Sequence, residues 1–207
     1  MAQIEKPRPW MIPERIVDLP GLVLASDPPP PPVPDEAACI SLWDRYGMLP
    51  NIRAHSHAVA RVALDVARRA AALGHAVDVP ALRAAALLHD LAKTYTILHG
   101  GAHAQLGAAW VREETGRPDL AQAVLFHVSW PWIHDPAALK ANLLRLPLLV
   151  SYADKRVRHD KVVSLEERFD DLLKRYGDTG EHRASIRVNR EQAFTYERAL
   201  SALVGSL

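Results

Sequence analysis

The most apolar stretch of the sequence, residues 79–93, contains the adjacent pair His89 and Asp90. An unpaired carboxylate in such a setting would cost several kcal/mol or would take up a proton, so it needs a partner. A salt bridge or a hydrogen-bonded structural histidine would be sufficient. Because neighbouring helical residues project about 100° apart, His89 and Asp90 can also bind one metal ion that lies between helices.

A metal ion needs ligands from other segments as well, and the sequence offers several. His127 and Asp154 share the setting of His89, since each is a polar residue within an apolar run. Other histidines lie in or beside further predicted helices: His55, His57, His99 and His103. A shared metal site would satisfy several of these side chains together.

The segments that carry these residues have helical periodicity. Helices are predicted over about 35–46, 50–74, 79–93, 102–115, 119–129, 137–161, 164–177 and 181–204. Pro147 predicts a kink or a break inside the sixth of these segments. The sequence shows no convincing pair of alternating strands, no internal repeat and no phosphate-binding Gly-Lys-Ser/Thr loop. The predicted fold is therefore an all-α bundle.

The chain is predicted to contain one folded domain, residues 35–207, because 207 residues suit a single hydrophobic core. A proline-rich N-terminal extension or linker, residues 1–34, precedes it and ends in a run of prolines that favours a stiff polyproline II connector. The functional motifs occupy about residues 50–160, and extra C-terminal helices follow at about 164–204.

Composition excludes several classes of protein. Lys and Arg number 25 against 24 Asp and Glu, and no basic block stands out, so no nucleic acid polymer is expected as a partner. The single cysteine, Cys39, excludes an intramolecular disulfide and a cysteine-based zinc finger. No uncharged apolar run approaches the roughly 18 residues of a membrane span, and a signal peptide is not evident. A cytoplasmic protein without membrane contact is predicted, and its oligomeric state is left open.

Five motifs in order along the chain carry a family resemblance: His55-Ser56 followed by Val59-Ala60, Ala63 and Ala67; the segment 85–93; the helix start 103–108; His127; and the segment 152–155. In this set the chain resembles the HD-domain superfamily of metal-dependent phosphohydrolases. Two other His-Asp pairs are interpreted as incidental. His134-Asp135 precedes a proline in a predicted loop, and His159-Asp160 lies among basic residues on a predicted solvated face.

The resemblance implies an HD-domain helical bundle with His55, His89, Asp90 and Asp154 as the core metal ligands. His103 and His127 match the two extra histidines of the six-ligand, dinuclear subgroup, which is similar to dinucleoside tetraphosphate hydrolases. Two alternatives stay open, namely His57 in place of His55 and His99 in place of His103. Spacing to the small residues that follow favours His55 and His103.

The activity implied by the resemblance is hydrolysis of a phosphate ester or anhydride in a small molecule, with a nucleotide as the expected substrate, by metal-activated water. Imidazole and carboxylate ligands without thiolates suit two divalent transition-metal ions, either Fe, Mn, Co or Zn. Asp90 would bridge the two ions, and Lys93, one helical turn after His89, is the candidate phosphate-binding cation.

Candidate contacts to the rest of the substrate are Lys155, Arg156 and the aromatic segment 130–132. The sequence after Lys155 lacks the proline-containing continuation of the tetraphosphate-cleaving branch, so the substrate stays open. The alternative function is a non-catalytic, metal-containing HD module that senses a nucleotide or serves as a scaffold.

Overall fold

The computed structural model describes residues 31–128 and 136–205, and this part of the chain consists of ten helices and one short hairpin. The helices are α1 (Glu36–Arg45), α2 (Pro50–Ala72), α3 (Val79–Leu88), α4 (Lys93–His99), α5 (His103–Thr115), α6 (Pro118–Phe126), α7 (Pro136–Asn142), α8 (Leu146–Lys155), α9 (Leu165–Tyr176) and α10 (Gly180–Val204). The strands are β1 (Val157–Arg158) and β2 (Lys161–Val162). The predicted all-α fold class is confirmed.

The central helix of the bundle is α3, which packs against α1, α2, α6 and α8. Seven of its ten residues are buried, and Arg83 is the one exposed residue between Ala81 and Leu88. Its first turn is capped by Asp78, whose carboxylate accepts a hydrogen bond from the Ala81 N–H at 3.0 Å. Because this helix is apolar nearly all round, it must lie inside the bundle, as predicted.

The predicted helix over 79–93 ends early, at Leu88, and α4 begins only at Lys93. His89 explains the end, because its Nδ1–H donates to the Ala86 carbonyl at 2.7 Å, the acceptor that a continuing helix would offer to the Asp90 N–H. The turn that follows is formed by hydrogen bonds between residues three apart. The Leu91 N–H donates to the Leu88 carbonyl, and the Lys93 N–H donates to the Asp90 carbonyl. The His-Asp pair therefore lies on a turn between two helices.

The predicted helix over 137–161 is divided into α7 and α8, with Pro147 in the first turn of α8, so the expected break is confirmed. The end of this segment is not helical, because α8 ends at Lys155 and the two strands follow it. The sequence predicted no strand pair, and that prediction was wrong. Strands β1 and β2 pair antiparallel, with Val157 opposite Val162. Arg156 closes this hairpin, because its carbonyl accepts from the Val163 N–H at 2.8 Å and its Nε donates to the Val163 carbonyl at 2.9 Å.

Helices α9 and α10 pack on each other at the C-terminal side of the bundle. The capping box predicted at the start of α9 is present, with Ser164 and Glu167 exchanging hydrogen bonds. Tyr196 of α10 anchors this helix by donating its hydroxyl hydrogen bond to the Leu143 carbonyl at 2.5 Å.

Residues 1–30 of the predicted N-terminal extension lie outside the described residues. Among the helices that the structure describes, none combines the length and the apolar character that crossing a bilayer requires.

Candidate metal centre

Two candidate ligands, His89 and His127, occupy the same position in different helices. Each is the first residue after its helix, and each donates from Nδ1 to the carbonyl three residues earlier: His89 to Ala86 at 2.7 Å and His127 to Val124 at 2.6 Å. Both side chains are almost fully buried. Since Nδ1 carries the proton in this bond, Nε2 is left to face the centre of the bundle with a lone pair when the ring is neutral.

The third buried histidine, His55 of α2, is oriented by the hairpin. Its Nδ1–H donates to the backbone carbonyl of His159 at 2.7 Å. His159 lies in the turn between β1 and β2 and has a φ of 58°, a left-handed conformation that is uncommon for a residue other than glycine. That conformation presents the carbonyl to His55, so the turn fixes the direction of the His55 ring.

Asp90 lies between two groups of histidines. Its Oδ1 is 3.5 Å from Nε2 of His103 and 3.6 Å from Nε2 of His127. Its Oδ2 is 3.5 Å from Nε2 of His89 and 3.9 Å from Nε2 of His55. One carboxylate therefore faces four ring nitrogens, two on each oxygen.

Asp154 of α8 completes the group around His55 and His89. Its Oδ1 lies 3.0 Å from Nε2 of His55 and 3.9 Å from Nε2 of His89. Two overlapping sets of ligand atoms are thus close enough together to hold a metal ion: His55, His89 and Asp154 in one, and His89, Asp90 and His127 in the other. All these side chains are buried except Asp154, which is partly exposed.

Two polar atoms at the middle of the cluster test whether a metal fits. Nε2 of His89 and Oδ1 of Asp90 are both buried, and neither makes a hydrogen bond to the described residues. Buried polar atoms are normally satisfied, and those left over need an explanation. A divalent cation would satisfy both atoms at once, and imidazole nitrogens with carboxylate oxygens are a suitable donor set for a transition metal. The residues present fit such an ion.

The charge state of the cluster is set by burial and by the charges within it. Burial alone would raise the pKa of Asp90, but His89 and Lys93 outweigh it and hold that pKa well below its usual range. Burial lowers the pKa of His103 to about 4 and also lowers the pKa of His127. At neutral pH Asp90 is therefore ionised and these two imidazoles are neutral, the forms in which each binds metal.

Lys93 reaches the cluster from the start of α4, with Nζ 2.7 Å from Oδ2 of Asp90 and a side chain that is one-third exposed. Burial alone would lower its pKa, but Asp90, with smaller effects from Asp154 and Tyr176, raises it. Lys93 is therefore a permanent positive charge between the buried carboxylate and solvent.

The structure does not support Lys155 and Arg156 as substrate contacts. Lys155 is buried, and its Nζ donates to the His127 carbonyl at 2.8 Å and to the Ser151 hydroxyl at 3.0 Å. Arg156 pairs with Glu197 at 3.0 Å and closes the hairpin. Both side chains point into the protein because buried acceptors are available there. Lys155 instead joins the end of α6 to α8 and so holds His127 in place.

The two open alternatives are placed away from the cluster. His57 lies edge-on to Trp43, with ring centroids 4.9 Å apart, and His99 packs against Tyr95 at 4.5 Å. His159 and Asp160 have exposed side chains, as expected for an incidental pair. The pair His134-Asp135 and the aromatic segment 130–132 lie outside the described residues.

Several supporting groups could not be found from the sequence. Three of them are the backbone carbonyls of Ala86, Val124 and His159. The type of a residue does not indicate that its carbonyl will accept a hydrogen bond from a histidine ring. Arg168 of α9 is another. Burial alone would raise the pKa of Asp154, but the hydrogen bond with His55, together with the smaller effect of the Arg168 charge, holds that pKa well below its usual range. In the sequence Arg168 is an arginine on an amphipathic helix, as many surface arginines are, so the pattern does not distinguish it.

The family model of the HD domain matches residues 52–158, just over half of the chain. The chain belongs to the HD-domain family. This is a metal-dependent hydrolase family in which some members are non-catalytic. All six candidate ligands fall within the matched HD domain, whereas α9 and α10 lie beyond its end.

One curated relative is a tRNA (cytidine(56)-2'-O)-methyltransferase of Thermoplasma volcanium, to which the chain is 28% identical over 151 residues. The match includes 69% of this chain and 42% of that protein, so the chain spans about two-fifths of the relative's length. No solved structure matches the chain.

Proposed function

We propose that this HD protein hydrolyses a phosphate ester or anhydride in a small molecule, a nucleotide being the proposed substrate, at a centre of two divalent transition-metal ions. The observation that carries the proposal is the position of Asp90, whose two oxygens face separate pairs of histidine nitrogens. A bridging carboxylate between two ions has this arrangement of neighbours.

In this proposal one ion would be held by His55, His89, Asp90 and Asp154, and the other would be held by Asp90, His103 and His127. The hydrogen bonds from Nδ1 of His55, His89 and His127 to backbone carbonyls fix the orientation of these rings before any ion binds. Such fixed ligands favour binding, because less side-chain freedom is lost when the ion arrives.

The charges within the centre favour a phosphate. A histidine that binds a metal ion is neutral, so the four imidazoles and two carboxylates would together contribute a charge of about −2 as ligands, which two divalent ions would exceed by about two positive charges. When bound, divalent ions lower the pKa of a coordinated water molecule and offset the charge of phosphate oxygens. Lys93 adds an ammonium group at the solvent side of Asp90, where it can bind a phosphate oxygen.

A small substrate is favoured over a polymer. The whole chain has a formal net charge of +1, with basic and acidic residues nearly equal in number. A protein that binds a long nucleic acid usually presents a continuous basic surface, since the phosphate backbone supplies most of the affinity. Charge concentrated at one buried centre suits a compact phosphorylated molecule better.

The decisive experiment measures the formation of phosphate or of nucleotide and nucleoside products by protein loaded in turn with Fe, Mn, Co and Zn under anaerobic conditions. The substrate panel would contain nucleoside mono-, di- and triphosphates, dinucleoside polyphosphates, sugar phosphates and inorganic tripolyphosphate. We expect turnover of at least one compound, abolished by chelation and restored by metal. Tight nucleotide binding without any product, for each metal, would instead support the non-catalytic HD module.

A further inference from the structure

A cleft of about 290 Å³ lies where the end of α9 meets the start of α10. It is lined by Arg175, Tyr176, Asp178, His182, Ser185 and Ile186. These residues lie outside the part of the chain that the HD-domain model matches. The cleft is therefore a feature of the C-terminal helices and not of the shared domain.

Arg175 joins this cleft to the candidate metal centre by a short chain of hydrogen bonds. Its Nη2 donates to Nε2 of His159 at 2.7 Å, and the carbonyl of the same His159 accepts from His55. Nε of Arg175 lies 3.2 Å from the Asp171 carboxylate, which holds the guanidinium against α9. Nη1 makes no hydrogen bond to the described residues, so it is available to a ligand.

Tyr176 gives the cleft an exposed aromatic surface. It lines the cleft next to Arg175, and 54% of the residue is exposed to solvent. An exposed aromatic ring beside an arginine that can bind phosphate is a surface on which a nucleobase can stack.

The turn between α9 and α10 is held in place by its own hydrogen bonds. Arg183 donates to the Gly177 carbonyl at 2.6 Å, and Asp178 pairs with His182 at 2.6 Å. A Cβ atom at position 177 would clash with the Leu173 carbonyl oxygen, so glycine is required there. The cleft is therefore formed by an ordered turn, with one acidic acceptor, Asp178, among its lining residues.

We propose that this cleft binds the nucleoside part of the substrate, with the base stacked on Tyr176 and Arg175 bound to a phosphate adjoining the one that reacts. This inference rests on the proposed function, since it assumes that the reacting phosphate lies at the metal centre beside Lys93. Asp178 would accept a hydrogen bond from a ribose hydroxyl. The substrate class is then a nucleotide with at least two linked phosphates.

The test compares two ligands that differ in the nucleoside alone, using the full-length, metal-loaded protein. They are the α,β-methylene analogue of ADP and inorganic methylenediphosphonate, and their dissociation constants are measured by titration calorimetry. Tyr176→Ala should weaken the nucleotide analogue by about tenfold or more and leave methylenediphosphonate unchanged. Tyr176→Phe, which keeps the ring, should retain wild-type affinity. Arg175→Gln should weaken both ligands.

Arg187→Gln is the matched control, because Arg187 is an exposed arginine of α10 that does not line the cleft. Equal affinity of Tyr176→Ala and wild type for the nucleotide analogue would overturn the inference, as would a wild-type protein that does not bind the analogue. If either result were found and the protein still released phosphate from tripolyphosphate or a sugar phosphate, the proposed function would remain supported. Nucleotide binding that depends on Tyr176, without hydrolysis of any substrate, would reject the proposed function alone.

Discussion

Nε2 of His103 lies 3.2 Å from Nε2 of His127, although His103 is the first residue of α5 and His127 follows the last residue of α6. His127 donates from Nδ1 to the Val124 carbonyl, so its Nε2 carries a lone pair when the ring is neutral. Oδ1 of Asp90 lies 3.5 and 3.6 Å from the same two nitrogens. These three ligand-type atoms therefore lie within 3.6 Å of one another, an arrangement that could hold the second of the two proposed ions.

The number of bound ions should depend on His103. We expect about two transition-metal ions per chain in the wild-type protein and about one in His103→Ala, because only one of the two ligand groups loses a member. His99→Ala, which alters the competing histidine beside Tyr95, should retain the wild-type content. Elemental analysis after anaerobic purification measures this. A wild-type content of one ion or fewer would make His103 and His127 substrate contacts.

Removal of the metal should lower the melting temperature. An ion that binds only the folded state stabilises it, by about 2.7 kcal/mol when its free concentration is 100 times the dissociation constant. Differential scanning calorimetry before and after chelation, with readdition of metal as the control, measures the effect. If the curve does not shift after metal loss has been verified, the ligands are not part of the folded core.

Asp90 should be indispensable for activity. Asp90→Ala removes the carboxylate shared by both ligand groups, so we expect hydrolysis to fall by about a thousandfold or more and metal content to decrease. Asp160→Ala changes the aspartate of the incidental His-Asp pair, whose side chain is exposed, and should have little effect. Activity assays and elemental analysis of both variants provide the comparison. Full activity in Asp90→Ala would refute the assignment.

Lys93 should act on the phosphate while the metal stays bound. Loss of one charge-assisted hydrogen bond in Lys93→Ala should reduce kcat/KM by roughly ten- to a hundredfold. Lys161→Ala, which removes an exposed lysine of β2, is the control. Steady-state kinetics with parallel metal analysis separates the two effects. A Lys93→Ala protein that has lost its metal would indicate a structural role for this lysine instead.

The rate at which a thiol reagent labels Cys39 should measure how often the protein unfolds. Burial, with smaller effects from Asp35 and Glu36, raises the pKa of its thiol to about 12, and the side chain is fully buried. The unfolded thiol has a pKa of about 8.5, so above that pH the unfolded state loses a proton that the folded state keeps, and stability falls as the pH rises. At pH 8 a thiol reagent should label Cys39 only as fast as the protein opens, and bound metal should slow the labelling. Immediate stoichiometric labelling of native protein would contradict this burial.

Local sequence pattern predicts most of the helices and the residue types of the candidate cluster. Helical periodicity and caps depend on residues within one turn of each other, so spans such as α2 and α9 follow from local pattern. Polar residues inside apolar runs, as at His127 and Asp154, indicate a buried site wherever their helices happen to pack. This is why the family, the all-α fold class and the candidate ligands can be predicted from the sequence.

The neighbours that each of these groups meets depend instead on tertiary packing. His55 and His57 are two residues apart on one helix and project to different sides, one toward Asp154 and the other toward Trp43. Lys155 and Arg156 resemble phosphate-binding residues in sequence but are turned inward, because the His127 carbonyl and Glu197 are brought to them from elsewhere in the chain. Two further features, the early end of α3 and the orientation of His55, depend on hydrogen bonds from histidine rings to backbone carbonyls. Every residue has a backbone carbonyl, so the sequence does not show which of them will accept such a bond. The direction of a side chain and the acceptor it meets are properties of packing between distant segments, and so they become visible only in the folded chain.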